Sequence, residues 1–460
     1  MKRIFILIVV ILFGMTVLDS VSLNLEQSIE LARDNNKELQ IAREEVERYR
    51  QEYRNVRGNL FPQLTLSGGY QYSKTTLPDS AVPPAVYLSD EINSEASAND
   101  TIIAGFFDQS MAMLIPEQEQ EQYSAFAQIK LDQVVFLGGK LINGISIAGK
   151  LYHLQEKKYY LTEQDVIFNT VDQYYQTKLA EEVVKIQREA LDFAERYYDQ
   201  VINMYDQGLV SEYDKLRARL EVLKLQPQLL EAEKNRELAR ESFGNYLNLK
   251  QEELELTDPI ELPEMEMIDL TTALDEGLQQ RMELELSDLS LQVSKVNLRY
   301  EKGNFLPDIA ISAEYNYYGS DQSKIESSDW GDSYQIGIGF SMPLFTGFSN
   351  SAKIAKARHS LKQAELNHQD LKEKIELDIR NAYHQWQANL SKVSTQQENV
   401  ELAEKGLAIA QARYENQISN QLEVIDAQLQ LKTARLSYLQ TAYSAALSYI
   451  KLKKAIGREL

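Results

Sequence analysis

The chain is written twice, and that duplication limits its possible folds more than any other feature of the sequence. A shift of 245 places Arg54 on Arg299, Gly58 on Gly303, Asn59 on Asn304 and Pro62 on Pro307, then Ser67 on Ser312, Tyr70 on Tyr315 and Tyr72 on Tyr317. Later in each half the shift is 209. Phe136 then meets Phe345, Gly138 meets Gly347, Glu156 meets Glu365 and Tyr174 meets Tyr383. Ala194, Glu195, Tyr205, Ala218 and Leu220 likewise meet Ala403, Glu404, Tyr414, Ala427 and Leu429. The 36-residue difference has one location, between Pro62 and Phe136 in the first half against Pro307 and Phe345 in the second. A fold for this sequence must therefore be assembled from two copies of one unit.

Each unit reads helix, strand, loop, strand, long helix, turn, helix. The first repeat, 23–249, holds a helix at 24–57, strands at about 64–73 and 124–135, a long helix at 140–207 and a helix at 212–247. The second, 268–460, holds a helix at 268–302, strands at about 309–318 and 334–343, a long helix at 349–416 and a helix at 421–455. Residues 250–267, acidic and carrying Pro259 and Pro263, read as a connector. Gly58 and Gly303 supply left-handed helix ends, and Pro62 and Pro307 block continuation.

After those prolines the apolar period changes from 3.6 to 2. Ile309, Ile311, Ala313, Tyr315 and Tyr317 alternate with Ala310, Ser312, Glu314 and Asn316. Four such strands of about nine or ten residues, apolar on one face and three of them tyrosine-tipped, match transmembrane β-strands. A soluble sandwich with one wet face is the alternative. Four strands cannot close a pore, because the smallest barrels need about eight, so closure requires several chains. The loop Thr75–Gln122 has nine acids and no lysine or arginine, as expected of an outer-face loop or of a disordered segment.

The long helices would each span about 100 Å. In the second, Leu361, Ala364, His368, Leu371, Ile375, Ile379, Ala382, Trp386, Leu390, Val393, Gln397, Val400, Ala403, Leu407, Ala410 and Tyr414 follow steps of three and four, the coiled-coil period. Lys2 and Arg3 precede the apolar run Ile4–Gly14, with Ser20 and Ser22 after it, so residues 1–22 read as a secretory signal peptide. The net charge of −21 argues against a nucleic-acid partner, which would demand basic patches. With no cysteine there are no disulfides, thiolate metal sites or cysteine nucleophiles. The four histidines are too scattered for a helix-borne metal site, no cofactor motif occurs, and no catalytic signature supports an enzyme.

The Gly-Asn-Leu-Phe-Pro-Gln-Leu and Gly-Asn-Phe-Leu-Pro-Asp-Ile turns, the Pro343-Leu344-Phe345-Thr346-Gly347 strand exit and the doubled helical hairpin with Gly208-Leu209-Val210-Ser211 resemble TolC-type outer membrane efflux proteins. The resemblance covers the whole chain after the signal peptide. It implies a mainly α fold with a β part: a homotrimer whose twelve transmembrane strands, four per chain, form one barrel in outer membrane lipid, continued by a coiled-coil tunnel in the periplasm. It further implies a periplasmic adaptor (membrane fusion) protein and an inner-membrane pump of the resistance-nodulation-division or ABC type as partners. A secreted coiled-coil scaffold or surface structural protein is the competing reading, and the cargo is not legible.

Site residues follow from the same resemblance. Glu423 and Asp426, at i, i+3 on the returning helix, match the family's acidic ring at the periplasmic entrance. From spacing alone they are two solvated acids. Tyr414 and Asp214 match a network that holds the entrance shut, whereas the arginine of that network falls on Ser419, with Lys215 or Arg217 as substitutes. The turns Gly208, Leu209, Val210 and Ser211, and Gln417, Ile418 and Ser419, are the expected adaptor-docking tips. The second turn lacks the usual glycine.

Overall fold

Short polar side chains decide where the helices begin. In the computed structural model, which describes residues 21–76, 119–249, 254–258, 265–321, 325–326, 329–416 and 418–460, Asn24 opens α1 (Leu25–Asn35). Its Oδ1 accepts from the Gln27 backbone N–H at 2.7 Å while Gln27 Oε1 accepts from the Asn24 N–H at 3.0 Å, a reciprocal capping box. After α1 come α2 (Lys37–Gly58), β2 (Gln63–Thr76), β3 (Glu119–Leu137), α3 (Lys140–Asp206) and α4 (Glu212–Tyr246). The second half supplies α5 (Leu270–Gln280), α6 (Met282–Lys302), β5 (Asp308–Asp321), β6 (Trp330–Ser341), α7 (Ser349–Glu415) and α8 (Gln421–Ala455). The fold is mainly helical with a smaller β part. No helix among the described residues is long and apolar enough to cross a membrane.

Gly58 and Gly303, expected to supply left-handed helix ends, are not in the left-handed region, which the glycines at 138, 139, 208, 347 and 457 occupy instead. Three further features depart from the expectations. The helix expected over 24–57 is broken at Asn36, and the one over 268–302 at Arg281. Both residues adopt extended backbone, and each N–H still bonds to the residue four back, Ala32 or Gly277. Asn36 also accepts the Glu38 N–H at 2.9 Å, so one residue ends a helix and starts the next. The strands are longer than nine or ten residues, at 14, 19, 14 and 12. Finally, β1 (Val21–Leu23) pairs in parallel with β4 (Leu254–Leu256), a ladder the sequence did not reveal. The expected signal peptide (apart from Val21 and Ser22), most of the 75–122 loop and much of the 250–267 connector lie outside the described residues.

The chain divides into two compact units. One takes the sequence up to Glu52, then Ile147–Lys295 and Arg358–Leu460; the other takes Tyr53–Ser146 and Val296–Ala357. In the helical unit, Trp386 is fully buried, with Tyr383 and Tyr449 ring centroids at 6.0 and 5.8 Å. Of the three-four series on α7, every residue except Gln397 is buried or half-buried. A second core gathers Leu23, Leu39, Tyr174, Phe243 and Leu256 around the β1–β4 pair.

The other unit is built on an antiparallel sheet of order β2-β3-β5-β6. Its registers align Leu66 with Ile129, Ile129 with Tyr315, and Tyr315 with Tyr334, so the apolar member of each alternation lies on one face across all four strands. Ser67, Gln128 and Asn316 align on the other face, where Ser67 Oγ donates to Gln128 Oε1 at 3.2 Å. The apolar face is bare: Tyr334, Ile336, Ile338 and Phe340 are all at least two-thirds exposed. A chain in water would hide such a surface, and a chain in lipid would not. Among the described residues, β2 and β6 each have a neighbour on one side only.

Candidate functional site

The two hairpin turns lie in the helical unit. In the first, the Leu209 N–H bonds to the Met204 carbonyl at 2.9 Å and the Gly208 N–H to the Tyr205 carbonyl at 2.8 Å, with Gly208 at φ +73°. That paired pattern closes α3 and needs a left-handed residue, which glycine fills without strain. Ser211 then caps α4: its Oγ accepts the Asp214 N–H at 3.2 Å, and Asp214 Oδ2 accepts the Ser211 N–H at 3.0 Å. Leu209 is exposed and Val210 half-buried.

In the second turn the Ile418 N–H reaches the Arg413 carbonyl at 2.8 Å and the Ser419 N–H the same oxygen at 3.3 Å. Asn420 Oδ1 caps α8 by accepting the Glu423 N–H at 3.3 Å. Ile418 is exposed, and Gln417 lies outside the described residues. Ser419 Oγ and both amide atoms of Gln421 are buried without a hydrogen-bond partner among the described residues. The second turn is thus the less well satisfied of the two.

Between the turns lies a small core of Tyr197, Val201, Ala218, Ala410, Tyr414 and Val424. Tyr197 and Tyr414 have ring centroids 5.5 Å apart. Burial pushes the Tyr197 hydroxyl well above the usual phenol range, with the Tyr414 hydroxyl and the Asp214 charge adding to it. Tyr414 and Asp214 therefore share Tyr197 as a neighbour, but they do not bond to each other in this chain. The Tyr414 hydroxyl donates to Met204 Sδ at 3.5 Å, while Asp214 is occupied by the cap, including the Ser211 hydroxyl at 2.7 Å.

Glu423 and Asp426 are both exposed on α8. Glu423 Oε2 lies 3.5 Å from the Arg413 Nε, a pairing that sequence reasoning missed because Arg413 precedes the turn and Glu423 follows it. Lys215 does not join the network; its ammonium sits over the Tyr205 ring at 4.6 Å. The arrangement offers carboxylates, a guanidinium and exposed apolar tips. It can bind and steer.

The family model for outer membrane efflux proteins matches residues 28–248 and again residues 273–458. The chain belongs to that family. It is 21% identical over 453 residues to outer membrane protein TolC of Escherichia coli K12, covering 94% of this chain and 82% of that protein. Its identity to the cation efflux system protein CusC of Escherichia coli O157:H7 is 22%, covering 93% of this chain and 84% of that protein. Among solved structures, the Campylobacter jejuni CmeC outer membrane channel superposes with a TM-score of 0.76 at 19% identity, over 94% of this chain and 85% of that one. The open state of the Neisseria gonorrhoeae MtrE channel gives 0.73 at 17%, over 95% and 89%. This outer membrane efflux protein is an export duct of the outer membrane.

Proposed function

We propose that three copies of this chain join edge to edge as a twelve-stranded barrel, and that their duplicated helical repeats continue it as a periplasmic tunnel. Substrates enter from an inner-membrane pump through a periplasmic adaptor that grips the tips at Leu209, Val210 and Ile418. The observation that carries this reading is the four-stranded sheet with a bare apolar face and two unpaired edges. Four strands fall short of the smallest barrel, and three times four is an even number within the known range. A signal peptide within residues 1–22 takes the chain across the inner membrane, and because β1 pairs from Val21 onward its cleavage has to fall before that residue.

Glu423 and Asp426 ring the entrance, where three copies crowd six carboxylates together. Such a ring favours cations. Arg413 offsets part of the ring's charge and stands in for the arginine missing at Ser419. Planar-bilayer recording of the detergent-extracted protein, after light scattering has fixed its mass, tests the reading. A trimer with cation-selective current, less selective in the Glu423→Gln/Asp426→Asn variant, is the expected result. A trimeric pore indifferent to those substitutions removes the ring; a monomer without current removes the duct.

A further inference from the structure

The two strand hairpins of this chain have the same register once the repeat offsets are applied. Adding 245 to a residue of β2 and 209 to its partner on β3 turns Leu64↔Leu131 into Ile309↔Phe340, and Tyr70↔Ala125 into Tyr315↔Tyr334. Lys74↔Glu121 likewise becomes Gly319↔Trp330. Each transposed pair is one the β5–β6 ladder contains. The offsets therefore carry pairing geometry from one half to the other as well as residue identity.

The remaining ladder, β3 with β5, has no counterpart within one chain. Its image under the same offsets joins β6 to β2, the two strands left as edges. Ile129↔Tyr315 becomes Ile338↔Tyr70, and Gln128↔Asn316 becomes Gly337↔Gln71. One chain cannot make this pairing to itself, because a closed sheet of four strands is far below the smallest barrel. We infer that β6 of one copy pairs antiparallel with β2 of the next, with Ile338 opposite Tyr70 and Gly337 opposite Gln71. This deepens the trimeric reading and rests on it.

Two observations favour that register over its neighbours. A slip of one residue would turn Ile336 and Ile338 towards the polar face and Gly337 towards the apolar one. A slip of two keeps the faces, and there a glycine contact decides. Within the chain, Gly138 and Gly303 stand back to back: a Cβ on Gly138 would meet the Gly303 carbonyl oxygen at 2.3 Å, and a Cβ on Gly303 would meet that of Gly138 at 2.5 Å. Their images are Gly347 and Gly58. Gly347 has the same φ of +59° as Gly138, yet neither Gly347 nor Gly58 has anything within 4 Å of the Cβ position. Gly58 lies at a helix end that would accept a side chain, so its glycine is unexplained until a neighbouring copy brings Gly347 against it.

Because the chain has no cysteine, engineered pairs report cleanly. Directly opposed residues have Cβ atoms about 4.5–5.5 Å apart and diagonal ones about 7–8 Å, so only opposed cysteines join without backbone movement. Gly337→Cys/Gln71→Cys and Ile338→Cys/Tyr70→Cys sample both kinds of antiparallel pair. Gly337→Cys with Gly69→Cys or Ser73→Cys reports a slip of two. The full chain is oxidised in detergent and resolved by denaturing gel, with light scattering on the unoxidised protein. At least one in-register pair should give covalent dimer and trimer at about fivefold or more the yield of either offset pair. Gly58→Val should raise the monomer fraction several-fold while leaving the helical signal intact. A trimer that cross-links best through an offset pair, or through none, overturns the register alone. A monomer in every preparation overturns the barrel reading together with it.

Discussion

Trp386 offers a test in which two substitutions at one position should behave very differently. Its side chain is fully buried among Tyr383, Tyr449 and the aliphatic residues of α5 and α8, yet its indole N–H has no hydrogen-bond partner among the described residues. Trp386→Ala removes the whole ring system and leaves a cavity that close packing cannot fill, at a loss of about 3–5 kcal/mol. Trp386→Phe removes only a few apolar atoms, costing about 1–2 kcal/mol, and also removes a buried donor whose desolvation costs about 1–3 kcal/mol. Those opposing effects should leave the Phe variant within about 1 kcal/mol of the parent. Thermal melts followed by helical circular dichroism, at one detergent and protein concentration, provide the comparison. The chain has only two tryptophans, so the Phe variant should also lose the blue-shifted, buried share of the emission. A Phe variant as unstable as the Ala variant would mean that the indole N–H does have a partner, and would refute the reasoning.

Three further outcomes follow from the same geometry. Gly208→Ala should destabilise by about 1–2 kcal/mol through backbone strain alone, since no atom lies within 4 Å of the Cβ position; melts of Gly208→Ala against Gly208→Asn, a residue that tolerates the left-handed region, separate strain from packing. Arg413→Ala breaks an ion pair half-exposed at both ends, so stability should change by less than about 1 kcal/mol while cation selectivity rises in bilayer recordings at low salt. Burial, aided by the bond it donates to Asp172 at 2.6 Å, pushes the Tyr443 hydroxyl up to about 12. A raised pKa means the contribution is whole below pH ~10 and is lost as pH rises towards about 12; melts across that window should converge on those of Tyr443→Phe.

Strong periodicity made much of this architecture readable. On α7 a three-four series of apolar residues could only be a packed helical seam, and on the strands the switch to period two fixed which face was oily. The helix breaks at Asn36 and Arg281 escaped notice because neither has a proline or glycine to announce it. At Arg281 the break is held by one near group and two distant ones: the guanidinium reaches Glu283 at 3.0 Å, and Asp378 at 2.6 Å and the Ala455 carbonyl at 3.3 Å far along the chain. Yet the two breaks are 245 residues apart, the offset already evident elsewhere, so comparing the halves at that position was the available signal. The tip was legible only in part. Gly208 and Ser211 announce a cap chemically, whereas the Arg413–Glu423 pair joins two helices whose rotation no sequence pattern specified.

The parallel pair of β1 with β4 has a consequence for timing. The Leu25 N–H bonds to Asp258 Oδ2 at 2.9 Å across 233 residues, and Tyr174 braces the same carboxylate at 3.2 Å. Closing so long a loop adds little to the equilibrium cost, which grows only with the logarithm of length. Its kinetic weight is larger, because a contact of such sequence separation has to wait for its partner. On the amino-end-first export that the proposed signal peptide directs, the α3–α4 hairpin is already outside before Leu254–Leu256 arrives. The first of the described strands to emerge is therefore among the last to be fastened, and a chain stalled halfway through export would carry it loose.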